Sequence, residues 1–150
     1  MKIKDHMTHN PITVDVSLPI PEAMKLMKSG GFRRLPVLDH GKLVGIVTDR
    51  DVREAMPSDA TSLSIWEINY LITRITVKEI MTKAPVTIGE DSSVERAARL
   101  MLEYKIGGLP VMSGANVVGI ISVTDVLWLF LERAKRDGTS TEEEPLIGAR

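Results

Sequence analysis

Residues 35–52, LPVLDHGKLVGIVTDRDV, recur at residues 109–126 as LPVMSGANVVGIISVTDV, a displacement of 74 positions without a gap. The same displacement aligns Met7-Thr8 with Met81-Thr82 further upstream. Fifteen of the forty-six positions from 7 to 52 are identical after this shift, whereas unrelated segments of average composition would share roughly three. The chain is therefore an internal duplication.

Each copy contains the same series of predicted elements. A short β-branched run, at residues 12–14 and again at 86–88, precedes a helix whose apolar residues recur at i, i+3, i+4 and i+7. We predict Ser17 and Asp91 as the N-caps of these helices. A hairpin and a second helix follow in each copy. The predicted fold class is α+β, with two β-α-β-β-α repeats.

The predicted organisation is a pair of repeats joined by a linker. Two copies are too few for a solenoid, so we expect them to pack about a pseudo-twofold axis with a cleft between them. The boundaries are residues 1–57 for the first repeat, 58–76 for the linker, 77–134 for the second repeat and 135–150 for a disordered tail. In the linker, Ser64 and Glu67 have the spacing of a capping box that begins a short helix. Trp66 and Tyr70 on that helix are interpreted as core or dimer packing rather than as a platform for a base.

Composition limits the function classes. The formal net charge is −1 and the pI about 6.3, so no cationic field favours nucleic acid. Cysteine is absent, which excludes disulfides and thiolate metal sites, and the three histidines lack a ligand spacing, so we expect no metal. No apolar run reaches the roughly 20 residues of a membrane helix, and no signal peptide or catalytic motif is seen. The expectation is a cytoplasmic protein that is not an enzyme and has no nucleic-acid or membrane partner.

One phrase, G-h-h-[T/S]-x-x-D, occurs at residues 45–51 and 119–125. It can be a helix-capping signature alone, because a hydroxyl three residues before a carboxylate satisfies the first backbone N–H groups of a helix. It also suits a nucleoside phosphate. The helix N-terminus and the hydroxyl would contact phosphate, the carboxylate would accept from ribose hydroxyls, and the glycine would let another group approach the strand.

Taken together, the M-T-x-x-P-h-T-h starts, the L-P-V segments and the two G-h-h-[T/S]-x-x-D phrases resemble a tandem pair of CBS domains, the Bateman module, over residues 1 to about 134. The resemblance implies a regulatory module that needs no cofactor and binds an adenosine nucleotide, namely AMP, ADP, ATP or S-adenosylmethionine. It implies that Asp51 and Asp125 bind ribose while Thr48 and Ser122 contact phosphate. The residues that it implies for the adenine pocket are Ile12, Thr13, Leu35, Val86, Thr87 and Leu109.

The copies differ in their basic residues. The first has Arg33, Arg34 and Arg50 where the second has Gly107, Gly108 and Thr124. The resemblance implies a phosphate-contacting arginine before L-P-V, and Arg34 has that position, although two adjacent arginines are also typical of a solvated surface. Arg50, inside the G-h-h-[T/S]-x-x-D phrase, is a further candidate ligand. Either way, we expect two unequal sites.

The linker, with ATSLSI at 60–65 and ITVKEIMT at 75–82, further resembles the acetoin-utilisation-type CBS proteins. Those proteins usually continue into an ACT domain, which these 150 residues do not include, and a role in acetoin metabolism is not carried over.

Two hypotheses about function follow from the sequence. The chain is a ligand sensor that acts on a regulated protein, or it is a dimerising scaffold whose cleft stays empty. A homodimer is expected in both cases.

Overall fold

The computed structural model describes residues 1–58 and 62–139, which form two four-stranded sheets with helices against them. The first half contains a 3-10 turn (Ile3–Asp5), strands β1 (Thr8–His9), β2 (Val14–Asp15), β3 (Arg34–Asp39) and β4 (Lys42–Thr48), and helices α1 (Ile20–Gly30) and α2 (Asp49–Ala55). Helix α3 (Ile65–Ile72) follows. The second half contains α4 (Val77–Ile80), β5 (Thr82–Lys83), β6 (Ile88–Gly89), α5 (Val94–Tyr104), β7 (Gly108–Ser113), β8 (Asn116–Ser122) and α6 (Val123–Arg136). The predicted α+β fold with two equivalent repeats is confirmed.

The two hairpins repeat each other in register. Pro36 lies opposite Ile46 in the first, and Pro110 lies opposite Ile120 in the second, with an irregularity one residue after Pro36 and Pro110 alike. Strands β2 and β6, which correspond to the β-branched runs predicted at residues 12–14 and 86–88, are shorter than those runs. They begin at Val14 and Ile88, where the parallel pairing with β3 or β7 starts, so residues 12–13 and 86–87 lie outside the sheets.

The N-caps of the first long helices differ from the prediction. Helix α1 begins after Pro19, and α5 after Ser93, whose hydroxyl accepts a hydrogen bond from the Arg96 N–H at 3.1 Å. Ser17 donates its backbone N–H to Asp15 instead, and Asp91 pairs with Lys4 at 3.0 Å. The prediction of Ser17 and Asp91 as caps was wrong because both have nearer partners outside the helices.

The repeats exchange their leading segments, residues 1–9 and 75–83. Strand β1 pairs with β8 of the second repeat, and β5 pairs with β4 of the first. Reciprocal hydrogen bonds hold the exchange: the N–H of Ile3 donates to the Ser92 carbonyl and that of Val77 to the Leu18 carbonyl, each at 2.9 Å. Each hydrophobic core is therefore completed by a segment that belongs, in sequence, to the other repeat.

Gly45 and Gly119 make room for this exchange. A Cβ on Gly119 would lie 2.9 Å from the carbonyl oxygen of Thr8 and against the sulfur of Met7. A Cβ on Gly45 would meet Thr82 and Met81 in the same way. The group that approaches the strand at these glycines is thus the Met-Thr segment of the exchanged chain, so the close approach predicted for these glycines is made by the protein itself.

The linker helix α3 begins where the sequence predicted, but its aromatic side chains are more exposed than expected. Ser64 accepts from the Glu67 N–H at 3.2 Å, as the capping pattern predicted. Trp66 and Tyr70 are 80% and 57% exposed. Of the two predicted alternatives, core packing is therefore excluded, while dimer packing stays a prediction. Part of the predicted linker, residues 59–61, lies outside the described residues.

The last helix, α6, runs to Arg136, so the first residues of the predicted tail are helical. Residues 140–150 of that tail lie outside the described residues. Over the described ranges, no helix is both long enough and apolar enough to cross a membrane.

Candidate functional site

The two G-h-h-[T/S]-x-x-D phrases form two matching capping boxes. Thr48 Oγ1 accepts from the Asp51 N–H at 3.1 Å, and Asp51 Oδ2 accepts from the Thr48 N–H at 2.8 Å. Ser122 and Asp125 repeat this at 3.2 and 2.8 Å, and the Ser122 hydroxyl also donates to Asp125 Oδ2 at 2.9 Å. Capping is therefore one role of the motif. Because each cap uses Oδ2, and no hydrogen bond within residues 1–58 and 62–139 reaches Oδ1 of either half-buried carboxylate, Oδ1 can accept from another donor.

A cleft of about 310 Å³ lies between the repeats at the start of α6, and we call it the Asp125 cleft. From the second repeat it is lined by Ile120, Ser122, Thr124 and Asp125, and from the first by Thr8, Pro11, Ile12, Gly31, Phe32, Arg33 and Arg34. Its volume is at the lower end of the range for small-molecule sites, which combine apolar walls with a few polar groups. The structure thus brings Ile12 and Arg34 to Ser122 and Asp125, across the repeat interface.

Arg34 crosses from the first repeat to the second. A Cβ on Gly108 would lie 2.6 Å from Arg34 Cδ, and one on Gly107 would lie 2.7 Å from Arg34 Nη2. The side chain therefore occupies the space that residues larger than glycine would take at these positions. Partial burial lowers the pKa of the Arg34 guanidinium, and the nearby Asp49 and Asp125 oppose that shift. The group stays cationic at neutral pH.

The two adjacent arginines, Arg33 and Arg34, differ in their exposure to solvent. Arg33 is exposed, whereas Arg34 is half-buried, so the alternative of a solvated pair describes only Arg33. Arg50 is also exposed, and its Nε donates to Glu54 Oε1 at 3.0 Å on the surface of α2. It does not line the Asp125 cleft.

The predicted adenine-pocket residues are scattered. Leu35 and Leu109 are 1% and 0% exposed in the two cores, so only their backbone could contact a ligand. Thr13 lines a separate depression beside Asn116. Val86 is half-buried against the second core and Thr87 is exposed. Of the pocket candidates, Ile12 alone lines the Asp125 cleft.

Sequence reasoning did not select Pro11, Phe32 or Ile120 for this cleft. Pro11 belongs to the repeated M-T-x-x-P phrase, which contributed to the family resemblance but was not assigned to a ligand site. Thr8 and Ile120 meet because β1 pairs with β8, and the pairing partner of so short a strand cannot be read from its sequence.

A metal centre finds no support in the part of the chain described, residues 1–58 and 62–139, where no group of three or more His, Cys, Asp or Glu side chains is placed to hold an ion.

Three solved structures share this architecture. The CBS domain pair of protein MJ0100, in complex with 5′-methylthioadenosine and S-adenosyl-L-methionine, is 33% identical with a TM-score of 0.74 and covers 89% of this chain and 98% of that chain. CBSX2 in complex with AMP is 29% identical with a TM-score of 0.73, over 88% and 97% of the two chains. A Vibrio cholerae protein named for acetoin utilization, AcuB, is 27% identical with a TM-score of 0.73, over 97% and 98%.

The chain spans less than half the length of the first curated relatives that it matches. It is 35% identical over 130 residues to L-aspartate semialdehyde sulfurtransferase of Methanocaldococcus jannaschii, and this match covers 85% of the chain but 23% of that enzyme. A match of this extent identifies a shared module and does not transfer the enzyme's activity.

The family assignment is direct. The sequence profile of the CBS domain matches residues 3–58 and again residues 77–132. The resemblance inferred from the repeated motifs, including that to the acetoin-utilisation type, is confirmed by this match and by the structural neighbours. The chain belongs to the CBS domain family, as a tandem pair of CBS domains.

Proposed function

We propose that this chain is a regulatory module, not an enzyme, that binds an adenosine ligand (AMP, ADP, ATP or S-adenosylmethionine) in the Asp125 cleft. The observation that carries the proposal is that Ser122 and Asp125 line one wall while the opposite repeat supplies Ile12 and Arg34. Two structural neighbours are complexes with adenosine compounds, one with AMP and one with 5′-methylthioadenosine and S-adenosyl-L-methionine. In this proposal the module is a cytoplasmic protein, and it requires no cofactor, since the adenosine compound is its regulatory ligand.

The chemistry of the cleft supports each part of such a ligand. Oδ1 of Asp125 can accept from ribose hydroxyls while Oδ2 holds the helix cap. Ile12, Phe32 and Ile120 give an apolar wall for the base. Because the walls belong to opposite repeats, a bound ligand would favour one relation between the repeats over others, and a regulated partner protein would respond to that shift.

Thermal melting with a ligand panel tests this proposal. A ligand at about 100 times its dissociation constant adds roughly 2.7 kcal/mol of stability, so the melting temperature should rise selectively with AMP, ADP, ATP or S-adenosylmethionine. NAD extends the panel, and GMP and inorganic phosphate serve as controls for non-specific anion effects. A melting temperature that does not change with any adenosine compound would contradict ligand binding and favour the scaffold hypothesis.

Helix α6 favours self-association as a second role. It has fourteen residues, none of them buried, and it exposes a group of large apolar side chains: Leu127 at 56%, Trp128 at 63%, Phe130 at 67% and Leu131 at 49%. Contiguous exposed apolar surface marks interaction sites. We infer that two copies of the chain pair through α6, since a twofold contact covers the same surface on both. This dimer is compatible with ligand binding and would also serve a scaffold with an empty cleft.

The Trp128→Glu variant should dissociate this dimer. An unpaired carboxylate in an apolar contact costs enough that we expect a dimer dissociation constant at least roughly 100-fold higher, measured by sedimentation velocity over a concentration series. Leu102→Glu is the matched control, because Leu102 is 80% exposed on α5 and outside the proposed interface. A monomeric wild type, or equal effects of both variants, would contradict the assignment to α6.

A further inference from the structure

Helix α3 has an apolar side that its own chain leaves uncovered. Of its eight residues, Ile72 alone is buried, while Trp66, Tyr70 and Leu71 are exposed. A helix of this length is marginal in water and depends on packing for its stability. Residues 1–58 and 62–139 supply little of that packing, so the helix is suited to a contact with another molecule.

Five side chains line a depression of about 350 Å³ on this helix, and we call them the α3 surface: Leu63, Trp66, Glu67, Tyr70 and Leu71. Their spacing places them on one side of α3. None of them belongs to the hydrophobic core of either repeat within the part of the chain that is described. Large aromatic side chains in such a surface contribute most of the binding energy in protein interfaces.

Charges of opposite sign lie at the two ends of the α3 surface. Glu67 is in the first turn, where the Ser64 hydroxyl donates to Glu67 Oε1 at 3.2 Å. Arg74 follows the last turn, and its guanidinium lies 4.1 Å from the centre of the Tyr70 ring. Both charged side chains are exposed, and neither belongs to an ion pair within residues 1–58 and 62–139.

An antiparallel pair of α3 helices from two copies of the chain satisfies both charges at once. Glu67 and Arg74 are seven residues apart, which is about 10 Å along a helix axis. A twofold axis midway between them, close to Tyr70, places Glu67 of each copy opposite Arg74 of the other. The contact then has two Glu–Arg pairs around an apolar centre, and the dipoles of the two helices are also antiparallel, which is favourable.

We propose that the α3 surface is a self-association site on which a second copy of this chain docks through its own α3, in antiparallel orientation. The site goes beyond the proposed function, because it needs no ligand and is separate from both the Asp125 cleft and α6. It joins dimers formed through α6 into larger assemblies. Since α3 has eight residues and α6 has fourteen, the contact through α3 is the weaker one and forms at higher protein concentration.

Sedimentation velocity of the full chain over a concentration series measures this contact. The mass of the wild type should rise beyond that of a dimer as concentration increases. Trp66→Glu puts an unpaired carboxylate in the apolar centre, so it should raise the dissociation constant of this step about 10- to 100-fold and leave the dimer through α6 intact. In the Trp128→Glu background the same contact should be seen as a weak equilibrium between monomer and dimer, so the test does not depend on α6.

Charge reversal tests the antiparallel arrangement itself. Glu67→Arg places like charges opposite each other at both ends of the contact, and so does Arg74→Glu, so each variant alone should associate at least roughly 10-fold more weakly. An equimolar mixture of the two variants should return to within about 3-fold of wild type, because both oppositely charged pairs form again between unlike copies. Glu103→Arg is the matched control, since it makes the same change on the exposed surface of α5, and it should leave association unchanged.

Several results would overturn the proposal. If the wild type stayed a dimer or a monomer over the whole series, the α3 surface would be left to a different protein. A mixture that associates as weakly as its two components would exclude the antiparallel pairing. Leu146→Glu tests whether residues 140–150 of another copy occupy the surface instead, and a loss of association equal to that in Trp66→Glu would assign the surface to that segment.

Discussion

We expect Ile3→Ala to lower the free energy of unfolding by about 2–5 kcal/mol, the range for removing a large aliphatic side chain from a packed core. Ile3 is 0% exposed and belongs to the core of the second repeat, among Val94, Leu109 and Ile121. Its backbone is fixed there by the hydrogen bond to Ser92 at 2.9 Å, so the surroundings cannot easily close the cavity. Urea unfolding followed by circular dichroism gives the difference from the shift in midpoint.

Two other alanine variants test whether the loss of stability depends on burial in a core. Val77→Ala removes the equivalent side chain from the first core, where Val77 is also 0% exposed, and should act in the same direction by a smaller amount. Ile65→Ala removes a side chain that is 69% exposed on α3 and should stay within about 0.5 kcal/mol of wild type. If Ile3→Ala were as mild as Ile65→Ala, the leading segment would not be part of the second core.

Local pattern was enough to predict the parts of the fold that are local. The hairpins follow from two apolar runs around a turn, and α1 and α5 from apolar periodicity. The exchange of the leading segments is not local. Met7-Thr8 could pair with either repeat, because Gly45 and Gly119 offer it nearly identical strands, and the symmetry of the duplication hides the choice.

The same ambiguity limited the prediction of the site. Thr48, Asp51, Ser122 and Asp125 form the motif pairs expected from the sequence. The association of Ile12 and Arg34 with the motif of the other repeat was not anticipated, since it depends on which segments cross the interface. The exposure of Trp66 was not predicted for a related reason. The apolar spacing of helix α3 is typical of a buried face, but no element of the described chain covers Trp66.

The Asp125→Asn variant separates the two meanings of the motif. Asparagine keeps an oxygen that can accept from the Ser122 N–H, so the cap of α6 should survive and the melting temperature without ligand should change little. The amide loses the negative charge and turns a donor towards the place where Oδ1 would accept from ribose. We therefore expect AMP affinity, measured by titration calorimetry, to fall about 10- to 100-fold.

Asp51→Asn is the comparison for that result, because it makes the same chemical change in the same kind of capping box. We expect it to affect AMP binding less, since Arg34 and Ile12 line the cleft at Asp125. Unchanged binding in both variants would mean that the carboxylates only cap helices, as a scaffold requires. A loss confined to Asp125→Asn would instead connect ligand recognition to the second repeat's motif and the first repeat's arginine, so that the ligand itself joins the two repeats.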